Sequence, residues 1–378
     1  MGHSCVTIYV IRIFTIESSR MKLLTVFIFQ FSIGFLSFSQ GLPIEKAIDS
    51  LYESIDPQIL VLGENHTKNN TPHYTKSLRH LYHSQGVRTV AWEFPKSFEL
   101  QMNNFLLHGD ELVFKSLDKI SMMNKKDHYR LMDSIREMNL TFAKDDMIHV
   151  VCFDIETDVS DGIFKGIKRF LQPFRTEDLS ALDLIMKEYS YYAAEVESAC
   201  ASMARVILSD QVKYKAIFGK HYMDLLYIIE GTTAETVYTD NDDWESLNRE
   251  KFMTKMMVRW QKNNPETKLL LICGAAHGSF DMEYDWEGGH QSMIYNLMYE
   301  HNISVYSVRT LYYDVRLGII ERFFPDEISG LEIDLKLAFQ KNDPSNYLFF
   351  FEGDIEDSNE FNERYNGVLV KNCHGKKR

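Results

Sequence analysis

Four short apolar runs end abruptly at polar, reactive residues, and this arrangement constrains the fold more than any other feature of the chain. "ILVLGENH" carries residues 59–63 into Glu64 and His66. "VRTVAWEFP" carries residues 87–92 into Glu93 and is stopped by Pro95. "MIHVVCFDIE" ends its run at Asp154, and "KLLLICGAAH" passes from Cys273 through Gly274 and two alanines to His277. Short continuous apolar runs suit strands buried on both faces. Between them lie helix-length stretches: residues 71–85, with Pro72 near the first turn and Gly86 just past the end, then residues 98–139. A long helical pattern rich in Met, Tyr and Leu occupies residues 176–263. Strands separated by helical crossovers pair in parallel. The expected fold class is therefore α/β, a mainly parallel central sheet covered by helices, with a large helical insertion at about 176–263. "ISVYSVRTLYYDV" and "NYLFFFEG" are expected as later, partly exposed strands near the sheet edge. No Pro/Gly/Ser linker interrupts residues 40–378, which read as one domain.

Parallel α/β sheets bind ligands beyond the carboxyl ends of their strands. If the four runs are parallel, Glu64, His66, Glu93, Asp154 and His277 converge on one edge. Such a set suits general acid–base catalysis on water or an alcohol. It also suits a divalent metal, because these side chains offer oxygen and nitrogen ligands. Each has a plainer role available too: Glu64 facing a helix dipole, His66 in a solvated loop, Asp154 capping the next helix. A carboxylate such as Glu93, set between apolar neighbours, must be paired or solvated.

A net charge of −13 over 378 residues argues against nucleic acid, whose phosphates call for clustered Lys and Arg. It also argues against adhesion to an anionic membrane surface. Hydrophobic residues at 45% and charged residues at 25% are those of a globular chain able to bury a core without disulfides. Residues 21–39 read as a secretory signal: Lys22, an apolar stretch over 23–36, then small residues Ser37 and Ser39 flanking Phe38 before Gln40. Residues 1–20 lack that logic and read as an over-extended start, with translation beginning at Met21. Arg12, Glu17, Arg20 and Lys22 break any spanning helix over 6–38. The expected location is secreted or periplasmic, with no stable membrane anchor after cleavage. Export would expose Cys152, Cys200, Cys273 and Cys373 to an oxidising compartment. Their spacings are long and irregular, Cys152 and Cys273 read as buried free thiols, and there is no zinc-type CxxC pair.

"LGENH", the strand end "AWE" and the late "CGAAH" together resemble the signature of the erythromycin esterase-like group. That group belongs to a broader superfamily with the Tiki proteases, the TraB/GumN proteins and the haem-binding ChaN lipoproteins. The shared G-E-x-H, Glu and late His fall on Gly63, Glu64, His66, Glu93 and His277. "NREKFMTKMM", with Arg249, Glu250 and Met253, resembles the esterase branch's helix, as does the Gly-rich passage "GGHQSMIYNLMYEHNISVYSV". At Gly274 the chain lacks the second histidine typical of that branch, so "GAAH" is closer to the "GAGH" of Tiki and TraB proteins.

The resemblance implies a hydrolase of a small-molecule or peptide substrate, acting on an ester or amide. In a metal-free form, His66 is the general base, Glu64 or Glu93 orients it, and His277 steadies the oxyanion or protonates the leaving group. Arg249 holds a substrate carboxylate or carbonyl, with Asp154 and Glu250 also at the substrate. In a metal-dependent form, Glu64, His66, Glu93 and His277 bind one divalent ion that acidifies a water. A ChaN-like haem binder is the competing class, with His80 and His83 as candidate axial ligands.

Overall fold

A computed structural model of the chain describes residues 8–18, 21–31, 42–64, 70–117, 125–156, 164–188, 193–240, 247–280, 291–314, 319–320, 347–351 and 367–372. His66 and Cys373 lie outside these. Strands β1 (Ile8–Ser18) and β2 (Met21–Phe31) pair antiparallel with one another, in a sheet separate from the central one. β2 falls within the stretch expected to direct export, and neither strand belongs to the central sheet. Among the described residues, no helix is long and apolar enough to cross a membrane.

Each of the four apolar runs forms a strand: β3 (Ile59–Glu64), β4 (Thr89–Pro95), β5 (His149–Asp154) and β6 (Leu269–Gly274). They join β7 (Val305–Asp314), a short β8 (Ile319–Ile320), β9 (Tyr347–Phe351) and β10 (Gly367–Asn372) in one sheet. The order is β5-β4-β6-β3-β7-β10-β9, with β8 on β7. Neighbours from β5 to β10 are parallel, and β9 and β8 pair antiparallel. The α/β expectation with a mainly parallel sheet holds. The expectation that "ISVYSVRTLYYDV" lies near the edge does not: β7 is interior, between β3 and β10. Its polar residues misled the reading, since Ser307, Arg309 and Thr310 point into packed surroundings and are buried.

The period-two alternation of the strands divides two cores. Leu60, Leu62, Val90, Trp92, Leu270, Ile272, Tyr306 and Val308 pack against helices α1 (Ile44–Ser54), α2 (Thr71–Gln85) and α3 (Glu99–His108), and, beyond α4 (Leu112–Leu117), α5 (Lys125–Asn139). Ile59, Val61, Ala91, Leu269, Leu271 and Cys273 face the other way. α2 starts and stops where its sequence says: Pro72 enters the first turn, and Gly86 ends the helix at φ +67°, a left-handed conformation that suits glycine.

The helical stretch begins earlier than 176, with α6 (Lys165–Leu171), and continues through α7 (Ser180–Glu188), α8 (Ala193–Ser209), α9 (Gln211–Phe218) and α10 (Tyr222–Asp240) to α11 (Leu247–Asn263). Residues from Phe164 to Ile229 have a core of their own. α11 does not belong to it: Phe252, Met253, Met256 and Met257 lie against the sheet, because the strands' second face needs an apolar cover. Cys152, Cys200 and Cys273 are buried free thiols.

Gly63 lets β3 approach the turn that follows β6. A Cβ there would come within 3.1 Å of the Ala275 Cα and 3.4 Å of the Val308 carbonyl oxygen. Gly63→Ala is therefore expected to destabilise the fold by ~1–3 kcal/mol, the range for overpacking a filled interior. Urea unfolding of the variant measures this.

Candidate active site

The parallel register sets the carboxyl ends of β3 to β6 on one edge, with Gly63 opposite Cys273 and Glu64 opposite Gly274. Glu93 lies on the face of β4 that looks toward α11. Arg249, in the first turn of α11, meets it there and joins the strand ends into one network. Its Nη2 donates to Glu93 Oε1 at 2.6 Å and to Asp154 Oδ2 at 2.8 Å, and its Nε donates to Asp154 Oδ1 at 2.9 Å. Its Nη1 lies 3.2 Å from His277 Nε2. The other Glu93 oxygen accepts the Gly274 N–H at 2.5 Å, and Asp154 also accepts the Ile155 N–H at 2.8 Å.

The sequence "CGAAHGS" places His277 in a tight turn just past β6. Gly278 N–H bonds the carbonyls of Gly274 and Ala275, and Ala275 N–H bonds the Glu64 carbonyl at 3.0 Å. Ser307 bonds the Gly278 carbonyl, tying the turn to β7. His277 Nδ1 contacts Glu250 Oε1 in a short hydrogen bond, and its Nε2 is 3.4 Å from Glu93 Oε1. A carboxylate only accepts, so Nδ1 carries a proton toward Glu250, while Nε2 lies between the Arg249 Nη1 donor and the Glu93 carboxylate: it accepts from Arg249 when the ring is neutral and faces Glu93 when the ring is protonated. Burial works against the imidazolium, but Glu250 and Glu93 outweigh it even with Arg249 opposing, and the His277 pKa is raised above its ordinary 6.5. Burial likewise opposes the Arg249 charge, and Asp154, Glu93 and Glu250 overcome it, so the guanidinium stays charged.

Glu250 is expected from the sequence at the substrate. It is 0% exposed, and its second oxygen accepts the Met293 N–H at 2.6 Å. Its first oxygen meets the His277 ring. Asp154, expected at the substrate too, is buried against Arg249, and Arg249 is engaged by Glu93 and Asp154. Glu64, at the end of β3, is buried on the α2 side. Its Oε2 accepts from Tyr74 Oη at 2.8 Å and Asn70 Nδ2 at 3.4 Å. Cys273 stands within the electrostatic reach of all three glutamates: burial first, then Glu93, Glu64 and Glu250, push its thiol pKa well up, so it stays a thiol.

Tyr74 is a member of the site that sequence reasoning missed. Asp127 of α5 helps fix it, because its carboxylate accepts the N–H groups of Asn70 and Thr71 at the start of α2. The one available signal was a Tyr one turn inside the helix that follows "GENH". Of His80 and His83, the candidate haem ligands, His80 bonds Asp49, and the exposed His83 packs against Tyr82 and Phe142.

Of the expected metal ligands Glu64, His66, Glu93 and His277, His66 lies outside the described residues, Glu93 is engaged by Arg249 and the Gly274 N–H, His277 Nδ1 by Glu250, and Glu64 by Tyr74. Among the described residues, no group of three or more His, Cys, Asp or Glu side chains is arranged to hold a metal ion.

Fold and site thus define a class: an α/β protein with a buried His–Glu pair and Arg-bridged carboxylates at the carboxyl ends of parallel strands. No family model matches the chain, and no curated protein matches it by sequence. Solved structures do match it in fold. A succinoglycan biosynthesis protein aligns with a TM-score of 0.62 at 13% identity, over 89% of this chain and 95% of that one. A point mutant of the erythromycin esterase EreC, in its open conformation, aligns at 0.53 and 11% identity, over 88% and 96%. A protein from Bacillus cereus aligns at 0.55 and 12% identity, over 83% and 88%. At these identities, what the chain shares with them is the fold.

Proposed function

We propose that this chain is a hydrolase of the erythromycin esterase type, exported to the periplasm or beyond, which cleaves an ester or amide bond of a small-molecule or peptide substrate without a metal ion. One observation carries the reading: Glu250 bonds His277 Nδ1, Arg249 bonds Glu93 and Asp154, and Arg249 Nη1 and Glu93 Oε1 lie 3.2 and 3.4 Å from His277 Nε2, so these side chains meet at the carboxyl edge of the sheet. The fold shared with an erythromycin esterase supports it. The signal pattern of residues 21–39 supports export, and neither β1 nor β2 belongs to the central sheet.

In this reading His277 is the acid. Glu250 holds the ring by Nδ1, so Nε2 presents a proton that can steady a developing oxyanion or pass to the leaving group. Arg249 bridges and fixes Glu93 and Asp154, and its own charge raises the positive potential where the oxyanion forms. Glu93 both bonds Arg249 and stands by His277 Nε2, so it favours the imidazolium between turnovers. The water-activating base is assigned to His66 from the sequence, two residues beyond Glu64.

A pH profile tests the His277 role. Because its pKa is raised in the folded protein, the active protonated form persists above 6.5 and is lost as pH rises through the folded value. Glu250→Gln removes the largest favourable charge, so the alkaline limb of kcat moves to lower pH. Stability follows the same sign. The charged pair contributes fully below the unfolded imidazole value and fades as pH rises through the higher folded one. An alkaline limb that stays where it was in Glu250→Gln would contradict the assignment.

A further inference from the structure

Glu93 sits where the sheet's own ladder does not hold it. Trp92 pairs with Cys152, but Pro95 pairs with Asp154, so β4 contains one more residue than β5 over that interval. A bulge of this kind re-aims a side chain and gives up the pairing that would fix it. Here Glu93 lies inside the irregular interval, on the strand face that Arg249 covers. Arg249 bridges Glu93 and Asp154 from α11, and the backbone that carries the two carboxylates needs a tie of its own past the bulge.

The next tie between the two strand extensions is Glu156. It accepts the Ser97 N–H at 2.9 Å on one oxygen and Ser97 Oγ–H at 2.7 Å on the other. Arg169 of α6 closes on the pair: its Nη1 is 2.5 Å from Ser97 Oγ and 3.7 Å from Glu156 Oε2, and its guanidinium lies 3.6 Å from the centre of the Phe98 ring. Ser97, Glu156 and Arg169 are all buried. Gly166, one turn earlier on α6, makes room, since a Cβ there would fall 2.0 Å from Glu156 Oε2. Lys96, next to Ser97, pairs with Glu99 at 2.7 Å and with Asp224 of α10 at 3.3 Å, while Glu99 accepts the Cys152 N–H at 2.7 Å. The segment after the bulge is thus held by Glu156 and Glu99, and Arg169 and Asp224 of the helical unit close on it.

We propose that Ser97, Glu156 and Arg169 form a brace that fixes the spacing of Glu93 and Asp154 around Arg249, making Ser97 and Glu156 positioning residues for the site. The kinetic consequence rests on the hydrolase reading, whereas the spacing itself does not. Ser97 lies four residues after Glu93, and Glu156 two residues after Asp154. A displacement at the brace is therefore passed along a few covalent bonds to the two carboxylates. Small misplacements at such a site are large in rate. The helical unit, whose core is otherwise separate from the sheet, enters the active site through this contact.

The test uses Ser97→Ala, which keeps the main-chain bond to Glu156, and Gly166→Ala, which displaces the same carboxylate from the α6 side without deleting a bond. The exposed Ser209→Ala is the control. Two readouts are taken on each: kcat and KM on whichever ester the parent protein hydrolyses, and the ¹⁵N-detected Arg249 Nε–H signal, identified by its loss in Arg249→Lys. Both variants are expected to lower kcat by ~10-fold or more with KM within about twofold. They are also expected to shift the Arg249 signal and hasten its exchange with solvent. Reduced thermal stability with kcat and the Arg249 signal both unchanged would overturn the brace and leave a structural contact. If the parent hydrolyses no ester or amide, the hydrolase reading fails, and the Arg249 signal alone then decides the brace. If Ser97→Ala does not fold, Gly166→Ala supplies both readouts.

Discussion

Replacing Arg249 with methionine is expected to destabilise the fold by ~3–5 kcal/mol, the range for removing one partner of a buried ion pair. The side chain is 15% exposed and holds Glu93 and Asp154, which are less exposed still. Methionine matches much of its volume, so the loss is electrostatic rather than a cavity. Two carboxylates would then face one another without a cation, and burial would favour their protonated forms. The penalty should shrink as pH falls, because protonation relieves the repulsion. Urea unfolding at neutral and at acidic pH measures both effects. Arg249→Lys keeps the charge but not the planar fork that reaches Asp154 through two nitrogens, so its cost should be intermediate. A methionine variant as stable as the parent at neutral pH would mean that Arg249 does not hold the carboxylates.

The second large effect is on rate. His277→Gln should lower kcat by ~10²–10⁴-fold, the usual contribution of a positioned acid or base. Glutamine can still bond Glu250, which alanine could not, so the wholly buried carboxylate keeps a partner and the fold survives. KM should change little, since the imidazole acts on charge that develops during the reaction and not on the bound substrate. Steady-state kinetics with a thermal unfolding control checks this. A variant with full kcat would remove His277 from the chemistry.

Much of this site was legible in the sequence because its members stand at the ends of apolar runs. Glu64, Glu93 and Asp154 are one step from buried strand residues, and a parallel sheet leaves such ends on one edge. What could not be read was partnership across long separations. Glu250 is 27 residues from His277 and 43 from Met293, and nothing local says that it faces a ring and an N–H instead of a substrate. Tyr74 looks like an ordinary helix residue until α2 folds back over β3. β7 was misplaced for a physical reason. Its polar Ser307, Arg309 and Thr310 read as a partly exposed strand, whereas Ser307 is spent on the turn that carries His277. β10 went unread because "GVLV" is short and runs directly into a basic end. The bulge at Glu93 has no signature beyond Pro95, which cannot donate to a ladder and so permits the shift in register.

The central claim is that hydrolysis here depends on His277 and on no metal ion. The measurement that meets it most directly is turnover of a panel of alkyl and aryl esters, lactones and anilides by the chain from Gln40 onward. Each assay would be run before and after exhaustive chelation, beside His277→Gln. The predicted result is cleavage of at least one ester or amide at the same rate with and without chelator, and its loss in the variant. Turnover that vanishes on chelation and returns with a divalent ion, turnover indifferent to His277, or no turnover across the panel would each contradict it.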